Sequence, residues 1–204
     1  MKRDLENFGV LITGGGTGIG KACAAEMYSH GALVTICGRT EENLKQSVQE
    51  IVENHQDGGV IQYMTCDVTD EEQVFETVLA ADEFAEGLDG VVANAGGGGA
   101  IVPYHMQTAE EFSRVLNLNV LGTMLCIKHA VPILRKSDKA SFVGMSSIAS
   151  HLTHLWFGAY PAAKAGIEAI IRNAADEYGP ANIRFNAVRP GFIETEIMEG
   201  IPRD

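Results

Sequence analysis

The chain has 204 residues, of which 46% are hydrophobic and 21% charged, a composition typical of globular proteins and unlike that of disordered or fibrous ones. Asp and Glu number 27 against 15 Lys and Arg, which gives a net charge of −12. A protein that binds nucleic acid needs a basic face to displace counterions, and no Lys/Arg cluster is present in the sequence. We therefore expect no nucleic-acid partner.

The cysteines and the N-terminus indicate the cellular compartment in which the protein is expected to lie. Cys23, Cys37, Cys66 and Cys126 are widely spaced in apolar surroundings, which predicts reduced thiols rather than a disulfide or zinc framework. The N-terminus is acidic where a signal peptide would become apolar, and no apolar run approaches the roughly 20 residues that span a bilayer. We expect a soluble cytoplasmic protein without a membrane partner.

Short apolar runs alternate with longer helical patterns along the chain. Strands rich in Val and Ile, as buried parallel strands should be, are predicted at 8–13, 33–37, 60–66, 90–93, 141–145 and 183–188. Helices are predicted at 19–30, 41–55, 70–84, 109–134 and 157–178. This alternation predicts an α/β fold, a doubly wound parallel sheet with helices on both faces, as one domain over residues 1–204.

Capping signals support two of the helix starts. Thr69 and Thr108 are each followed three residues later by Glu, Glu72 and Glu111, which predicts a capping box at both positions. Gly31 and the Gly179-Pro180 pair are stop signals at the ends of two other helices.

A glycine-rich segment, Thr13-Gly14-Gly15-Gly16-Thr17-Gly18-Ile19-Gly20, ends the first predicted strand and opens the first helix. Phosphates need bare backbone N–H groups at a helix N-terminus, and a Cβ here would block their approach. The segment lacks the Gly-Lys-Ser/Thr ending of a P-loop. Its strand–turn–helix setting therefore predicts the dinucleotide site of a Rossmann fold, a glycine turn without a ligand being the alternative.

The end of the second strand bears on which dinucleotide binds. An acidic residue there accepts hydrogen bonds from the adenosine ribose, whereas a basic residue pairs with a 2′-phosphate. The segment reads Cys37-Gly38-Arg39-Thr40, with a guanidinium and no acid. It favours NADP(H) as cofactor. NAD stays possible, because Arg39 could also be a solvated residue at a helix start.

Tyr160 and Lys164 lie four residues apart, on one face of the last predicted helix. An ammonium close to a phenol favours the phenolate. We therefore expect Lys164 to lower the pKa of Tyr160 toward working pH, as a proton donor or acceptor requires.

Together these motifs resemble those of the short-chain dehydrogenase/reductase family, and the resemblance covers nearly the whole chain. The family's TGxxxGxG pattern is met by Thr13, Gly14, Gly18 and Gly20. Further matches follow the third, fourth and sixth strands in the family's order: Asp67-Val68, Ala93-Asn94-Ala95-Gly96, and Pro190-Gly191 with Ile193 and Thr195. The second of these departs from the family's NNAG, since Ala93 replaces the first Asn.

The resemblance implies two sets of site residues. The cofactor-binding set is Gly14, Thr17, Gly18, Ile19, Gly20, Arg39, Asp67, Val68, Asn94, Ala95, Gly96, Tyr160, Lys164, Pro190, Gly191, Ile193 and Thr195. The catalytic set is Asn119, Ser147, Tyr160 and Lys164, with Ser147 preferred over Ser146 because it lies 13 residues before Tyr160.

The implied roles in the family are specific. Tyr160 exchanges a proton with the substrate oxygen, and Ser147 hydrogen-bonds that oxygen and stabilises its developing charge. Lys164 holds the nicotinamide ribose, and Asn119, in a helix kink, holds a water that connects Lys164 to solvent. The implied activity is hydride transfer between the cofactor and a carbonyl or secondary-alcohol substrate.

The segment between Ser147 and Tyr160 should overhang the substrate. Its apolar residues Leu155, Trp156 and Phe157 predict a hydrophobic or alicyclic substrate, plain packing being the alternative. His151 and His154 have a ligand-like spacing, but no acidic residue or cysteine accompanies them, so no metal is expected. The Gly96–Gly99 run is either a mobile lip of the cleft or a loose loop.

Other hypotheses remain open at this point. The chain could be a catalytically silent nucleotide-binding sensor or scaffold, although a silent protein has no need to keep all four residues of the catalytic set. Family members usually continue past Pro190-Gly191 through a substrate-covering segment and another strand, whereas this sequence ends at Asp204. Either a further C-terminal segment is not included in this sequence, or the protein is truncated, which would remove part of the substrate pocket.

Two helices carry more apolar surface than one sheet-facing stripe needs. The predicted helix at 109–134 has nine large apolar residues in its first five turns: Phe112, Val115, Leu116, Leu118, Val120, Leu121, Met124, Leu125 and Ile127. The helix containing Tyr160 is rich in Ala, and its isoleucines are spread around it. The excess predicts a homodimer or homotetramer packed through these helices, as in the family; the alternative is that a further C-terminal segment covers these faces within one subunit.

Overall fold

The computed structural model describes residues 4–193. It contains one six-stranded parallel sheet of strand order β3-β2-β1-β4-β5-β6. The strands are β1 (Gly9–Thr13), β2 (Leu33–Gly38), β3 (Val60–Thr65), β4 (Gly90–Ala93), β5 (Ser141–Met145) and β6 (Arg184–Val188). The α-helices are α1 (Gly18–Ser29), α2 (Glu41–Asn54), α3 (Glu71–Ala85), α4 (Ala109–Leu116), α5 (Gly122–Leu134) and α6 (Ala159–Tyr178), so the predicted doubly wound α/β fold is confirmed.

The sheet divides the core into two halves because successive strand side chains point to opposite faces. On β1, Leu11 belongs to the cluster that packs against α3, α5 and α6, whereas Val10 and Ile12 belong to the cluster that packs against α1 and α2. All three side chains are at most 1% exposed. The continuous apolar run that predicted a strand buried on both faces is explained by this arrangement.

The strand order reverses next to β1. β1 pairs with β2 on one side and with β4 on the other, all in parallel. Crossovers leave β1 and β4 in opposite directions, so their carboxyl ends frame an open crevice. In sheets of this kind ligands bind at that crevice, and the glycine-rich turn after β1 opens into it.

The strands and most helices lie within about two residues of their predicted ends, and one helix is corrected. The segment 109–134 is not one regular helix, because a π-helical turn, Asn117–Leu121, separates α4 from α5. The Asn119 amide donates to the Val115 carbonyl four residues earlier at 2.8 Å. This side-chain bond occupies a carbonyl that the backbone ladder of an α-helix would use.

Two other helix starts are corrected. Asp70 and not Thr69 caps α3: the Asp70 carboxylate accepts from the amides of Glu72 and Gln73, while Thr69 is bonded to Asp67. α6 begins at Ala159 rather than at 157, because Gly158 has φ +44° and interrupts the helical path. The Thr108 cap on α4 is confirmed, since its hydroxyl accepts from the Glu111 amide.

One helical run within residues 4–193, Ala109–Leu134, is long and apolar enough by length and composition to cross a membrane. Its longest stretch without a charged residue, between Arg114 and Lys128, is shorter than the roughly 20 residues that span a bilayer. Half of its most apolar window is buried within the protein. The run packs against α3, α6 and the sheet, as a core helix does.

Candidate active site

The turn after β1 has the geometry of a phosphate-binding loop. Gly14 and Gly18 adopt φ +66° and +52°, a region that favours glycine. A Cβ on Gly20 would lie 2.2 Å from the Gly14 carbonyl oxygen, so α1 can approach the turn only with glycine there. Thr17 caps α1 without a side-chain hydrogen bond, which leaves the first-turn amides open to the crevice.

The segment that follows β4 forms hydrogen bonds to this turn. The Asn94 side-chain amide donates to the carbonyl oxygens of Thr13 and Gly14 at 3.0 and 3.2 Å. The amides of Asn94 and Ala95 donate to the Thr13 hydroxyl at 3.1 and 2.9 Å. The matched Asn94-Ala95 pair therefore shapes the turn through its own hydrogen bonds.

Two cavities meet at this turn and form one groove. The smaller, of about 230 Å³, is lined by the predicted adenosine-end residues Arg39, Asp67 and Val68. The larger, of about 550 Å³, is lined by the predicted catalytic residues Ser147, Tyr160 and Lys164. Gly14, Thr17, Ala95 and Gly96 line both cavities. The groove thus runs from an exposed guanidinium to a phenol, with the bare helix N-terminus between them.

Ser147 and Tyr160 form the reactive wall of the larger cavity. Ser147 follows β5 in extended backbone, and its hydroxyl accepts from the Ala149 amide at 3.1 Å. The Tyr160 phenol lies near it on the same wall, close enough for the Ser147 hydroxyl to lower the pKa of the phenol. This pairing favours Ser147 over Ser146, whose hydroxyl donates instead to Glu168.

The predicted lowering of the Tyr160 pKa by Lys164 is wrong for this structure. Burial raises the pKa of Tyr160, and only the hydrogen bond with Ser147 opposes that effect. The Lys164 Nζ lies 5.5 Å from the Tyr160 ring centroid and donates to the Met145 carbonyl at 2.8 Å. Burial also lowers the pKa of Lys164 to about 8, which weakens it as a cation beside the phenol.

Asn119 connects the π-helical turn to the loop after β4. Its side-chain amide donates to the Gly97 carbonyl at 2.9 Å, and its Oδ1 accepts from the Gly97 amide at 3.4 Å. A Cβ on Gly96 would lie 2.6 Å from Asn119 Oδ1 and 3.2 Å from Lys164 Nζ, so glycine gives these groups room. Asn119 anchors the start of the Gly96–Gly99 run; its predicted role in holding a water stays a prediction.

The structure places nearly all predicted site residues on this groove. Those lining one of its two cavities are Gly14, Thr17, Gly18, Ile19, Arg39, Asp67, Val68, Asn94, Ala95, Gly96, Ser147, Tyr160, Lys164, Pro190, Gly191 and Ile193. Gly20 and Asn119 lie directly behind the lining. Thr195 lies outside the described residues.

One buried acidic residue near the site is not part of any motif identified in the sequence. Glu168, on α6 one turn after Lys164, is 8% exposed and bonded to Ser146, Ser150 and Arg189. The available signal was an acidic residue among the inward-facing positions of α6, between the buried Ile167 and Ile171. Burial of a carboxylate requires partners, which here come from two other segments.

The outer wall of the larger cavity is apolar and aromatic. Phe157 and Phe192 each lie close to the His154 ring, with centroid distances of 5.8 and 6.3 Å, and all three side chains line the cavity. His154 Nδ1 is 3.1 Å from the Leu152 carbonyl oxygen. Within residues 4–193, no group of three or more His, Cys, Asp or Glu residues is arranged to hold a metal ion.

Comparisons with known proteins identify the family to which the chain belongs. Residues 9–204 match the family model described as short chain dehydrogenase. The chain is 35% identical to levodione reductase of Leifsonia aquatica, over 93% of this chain and 71% of that enzyme. It is 33% identical to cis-4-hydroxycyclohexanecarboxylate dehydrogenase of Sinomonas cyclohexanicum, over 95% of this chain and 76% of that enzyme.

Among solved structures, a short-chain type dehydrogenase/reductase from Mycobacterium ulcerans superposes with a TM-score of 0.93 at 40% identity. The match covers 97% of this chain and 72% of that one. The fold and the groove define a nucleotide-dependent oxidoreductase with a Rossmann fold. The chain belongs to the short chain dehydrogenase family, whose members use NAD or NADP and act on small molecules.

Proposed function

We propose that this protein transfers a hydride between NADP(H) and a ketone or secondary alcohol on a hydrophobic, alicyclic substrate. The observation that carries the proposal is the placement of Ser147, Tyr160 and Lys164 together on the lining of the larger cavity. A phenol and a hydroxyl side by side can contact one substrate oxygen together, which is what proton exchange at a carbonyl requires.

The groove fits a dinucleotide. The amides at the start of α1 suit a pyrophosphate, and the two cavities extend from that point in opposite directions. Lys164, together with the Asn94–Gly96 and Pro190–Ile193 segments, would hold the nicotinamide end. When bound, the nicotinamide supplies the hydride.

The residues of the chain supply the proton and the orientation. In the reducing direction, Tyr160 gives its proton to the substrate oxygen while Ser147 donates a hydrogen bond to that oxygen. The raised pKa keeps Tyr160 protonated in the free protein, as a proton donor must be. In the oxidising direction the proton returns to Tyr160, and a positive charge on Lys164 would stabilise the phenolate.

Arg39 supports NADP(H) as the preferred cofactor. It is exposed on the lining of the smaller cavity, and no acidic residue ends β2. A guanidinium in that position can pair with a 2′-phosphate through two parallel hydrogen bonds.

The apolar outer wall supports an alicyclic substrate. Ile101, Phe157, Phe192 and Ile193 offer carbon surface in the cavity that also contains Ser147 and Tyr160. The names of two relatives add support. One is a dehydrogenase named for cis-4-hydroxycyclohexanecarboxylate, and another is a dehydrogenase named for 2,5-dichloro-2,5-cyclohexadiene-1,4-diol. Both names describe six-membered rings.

The test is a panel of cyclic and acyclic ketones and secondary alcohols, each assayed with NADPH/NADP and with NADH/NAD. We expect turnover with substituted cyclohexanones or cyclohexanols, at higher kcat/KM with the phosphorylated cofactor. Turnover that favours NADH would reject the cofactor assignment. Cofactor binding by calorimetry without turnover of any compound would instead support the sensor or scaffold hypothesis.

A further inference from the structure

A buried carboxylate lies at the centre of a hydrogen-bonded cluster behind the reactive wall. Glu168 Oε1 accepts from the hydroxyls of Ser146 and Ser150, both at 2.6 Å. Arg189 makes a two-pronged pair with the same carboxylate, Nε to Oε1 and Nη2 to Oε2, both at 2.6 Å. The carboxylate thus receives four short hydrogen bonds, two of them from a guanidinium.

These bonds join three segments that each carry part of the proposed site. Glu168 lies on α6 with Tyr160 and Lys164. Ser146 and Ser150 enclose the turn that contains Ser147, and Arg189 immediately precedes Pro190-Gly191. The backbone links the last two segments as well, since the Ser146 amide donates to Val188 at 2.8 Å and the Ile148 amide to Pro190 at 3.1 Å.

Stability alone is a poor explanation for such a cluster. Taking a carboxylate out of water costs several kcal/mol, and apolar residues of similar volume often stabilise a protein as well as a buried ion pair does. What a fork-shaped pair adds is geometry, because its two parallel bonds hold both partners in one relative orientation. The Arg189 pair and the hydroxyls also hold the pKa of Glu168 down at about 2, so the carboxylate stays charged at any working pH.

We propose that Glu168 is a positioning residue, which fixes the Ser147 turn and the Pro190-Gly191 segment relative to Tyr160 on α6. The inference rests on the proposed function, since Ser147 and Tyr160 must reach one substrate oxygen together. Glu168 does not contact that oxygen; it acts through Ser146, whose hydroxyl donates to Glu168 on α6, while Ser147 lines the cavity together with Tyr160. A displacement of about 1 Å between such groups can lower a rate about 100-fold.

The first test uses the cofactor-free protein and needs no substrate. Glu168→Gln keeps the shape of the side chain but removes its charge and one acceptor. We expect amide hydrogen exchange in segments 146–150 and 188–192 to accelerate about tenfold or more, with β1 and β4 unchanged. Asp176→Asn, which removes the same charge from an exposed position on α6, should leave both segments at the wild-type rate.

The second test uses kinetics with the best substrate and cofactor from the panel. Glu168→Gln should lower kcat about tenfold or more, while the substrate KM and the cofactor Kd change less than about threefold. The double variant Glu168→Gln/Arg189→Gln also removes the Arg189 guanidinium, which the first substitution leaves without its charged partner. That double variant should regain thermal stability without regaining kcat, a separation that a merely structural role would not produce.

If Glu168→Gln does not fold, Arg189→Lys keeps the charge and loses the fork at a half-exposed position. It should still accelerate exchange in 188–192 and lower kcat about threefold. The proposal is overturned if exchange in 146–150 is unchanged, or if kcat recovers together with stability in the double variant. Failure of the proposed function is a separate result, in which wild-type protein turns over nothing while the exchange difference persists.

Discussion

Ser146 and Ser147 are adjacent residues with opposite surroundings. The chain stays extended beyond β5, so successive side chains point in opposite directions. Ser146 is 2% exposed and bonded to Glu168, whereas Ser147 is half-buried and lies on the cavity wall with Tyr160. One hydroxyl therefore holds the turn and its neighbour is available to a substrate.

The Tyr160 phenol is the most direct test of the chemistry. Tyr160→Phe removes only the transferable proton, so turnover should fall about 100-fold or more while cofactor affinity is retained. The measurement is steady-state kinetics with the best panel substrate, together with calorimetric titration of the cofactor. Tyr63→Phe on β3, which lines neither cavity, is the matched control, and near-normal turnover in Tyr160→Phe would show that another group transfers the proton.

Arg39 carries the cofactor prediction. Arg39→Asp replaces a phosphate partner with an acceptor for ribose hydroxyls, so preference should move from NADPH toward NADH. A charge-assisted pair contributes roughly 1.5–3 kcal/mol, which corresponds to about one to two decades in the ratio of the two affinities. The ratio is read from Kd values for both cofactors.

The control for this change is Lys45→Asp, which alters the net charge equally on the exposed face of α2 but does not line the cavity. It should leave the affinity ratio within about twofold of wild type. A wild-type protein that already prefers NADH would contradict the interpretation of Arg39.

At the scale of elements, two irregularities of the backbone position parts of the site around α6. One lies immediately before α6, and the other lies between α4 and α5. Gly158, immediately before α6, adopts φ +44°, and a Cβ there would lie 2.1 Å from the Gln107 side chain. The π-helical turn between α4 and α5 places Asn119 against Gly97. Each irregularity sets a side chain or a helix start at the groove, and regular geometry would move it.

The Glu168 cluster predicts a pH dependence of stability. Its folded-state pKa of about 2 is below the ordinary 4.5, so its contribution is fully present above about pH 4.5 and is lost as pH falls toward 2. The difference in unfolding free energy between wild type and Glu168→Gln should therefore be constant near neutrality and shrink below about pH 4.5. Urea denaturation across this range measures it.

Asp176→Asn is again the reference, because it removes one negative charge from an exposed position on the same helix. A wild-type advantage over Glu168→Gln that persists undiminished near pH 3 would mean that shape rather than charge holds the cluster.

Local signals in the sequence predicted the elements and most of the residues that line the groove. The glycine turn, the β–α alternation and the Tyr160–Lys164 spacing are each contained within a few residues. The Glu168–Arg189 pair, by contrast, joins residues 21 positions apart through the packing of α6 on β6. The π-helical turn depends on a side-chain bond within it and on the loop after β4, and burial decides the Tyr160 pKa. None of these follows from periodicity.

At the scale of the whole molecule, part of the apolar surface of the 109–134 segment and of α6 is exposed to solvent. Among the apolar residues of the 109–134 segment, Val115, Leu125 and Ile127 are buried within the protomer, while Met124 is 37% exposed. Ala162, Ala165 and Ala169 form an exposed row of small side chains along α6. Small residues let a second helix approach closely, so the expectation of two-fold self-association stays our prediction.

Ala169→Arg tests that prediction. A long charged side chain in the row would be harmless on a free surface and would be forced into a helix–helix contact in an oligomer. We expect light scattering to show a dimer or tetramer for the wild type at micromolar concentration, and a monomer for the variant. Gln49→Arg on the outer face of α2 should leave the assembly intact, and a monomeric wild type would refute the prediction.

The loop that overhangs the groove also contains the single tryptophan of the sequence. Trp156 is 58% exposed at φ +68°, between His154 and Phe157 on the cavity wall, with its carbonyl held by the Val102 amide at 3.0 Å. All indole fluorescence of this protein therefore comes from one rim of the groove. Indole emission overlaps the absorption of reduced nicotinamide, so the native chain has a built-in donor for resonance energy transfer, and its quenching reports cofactor occupancy without any label.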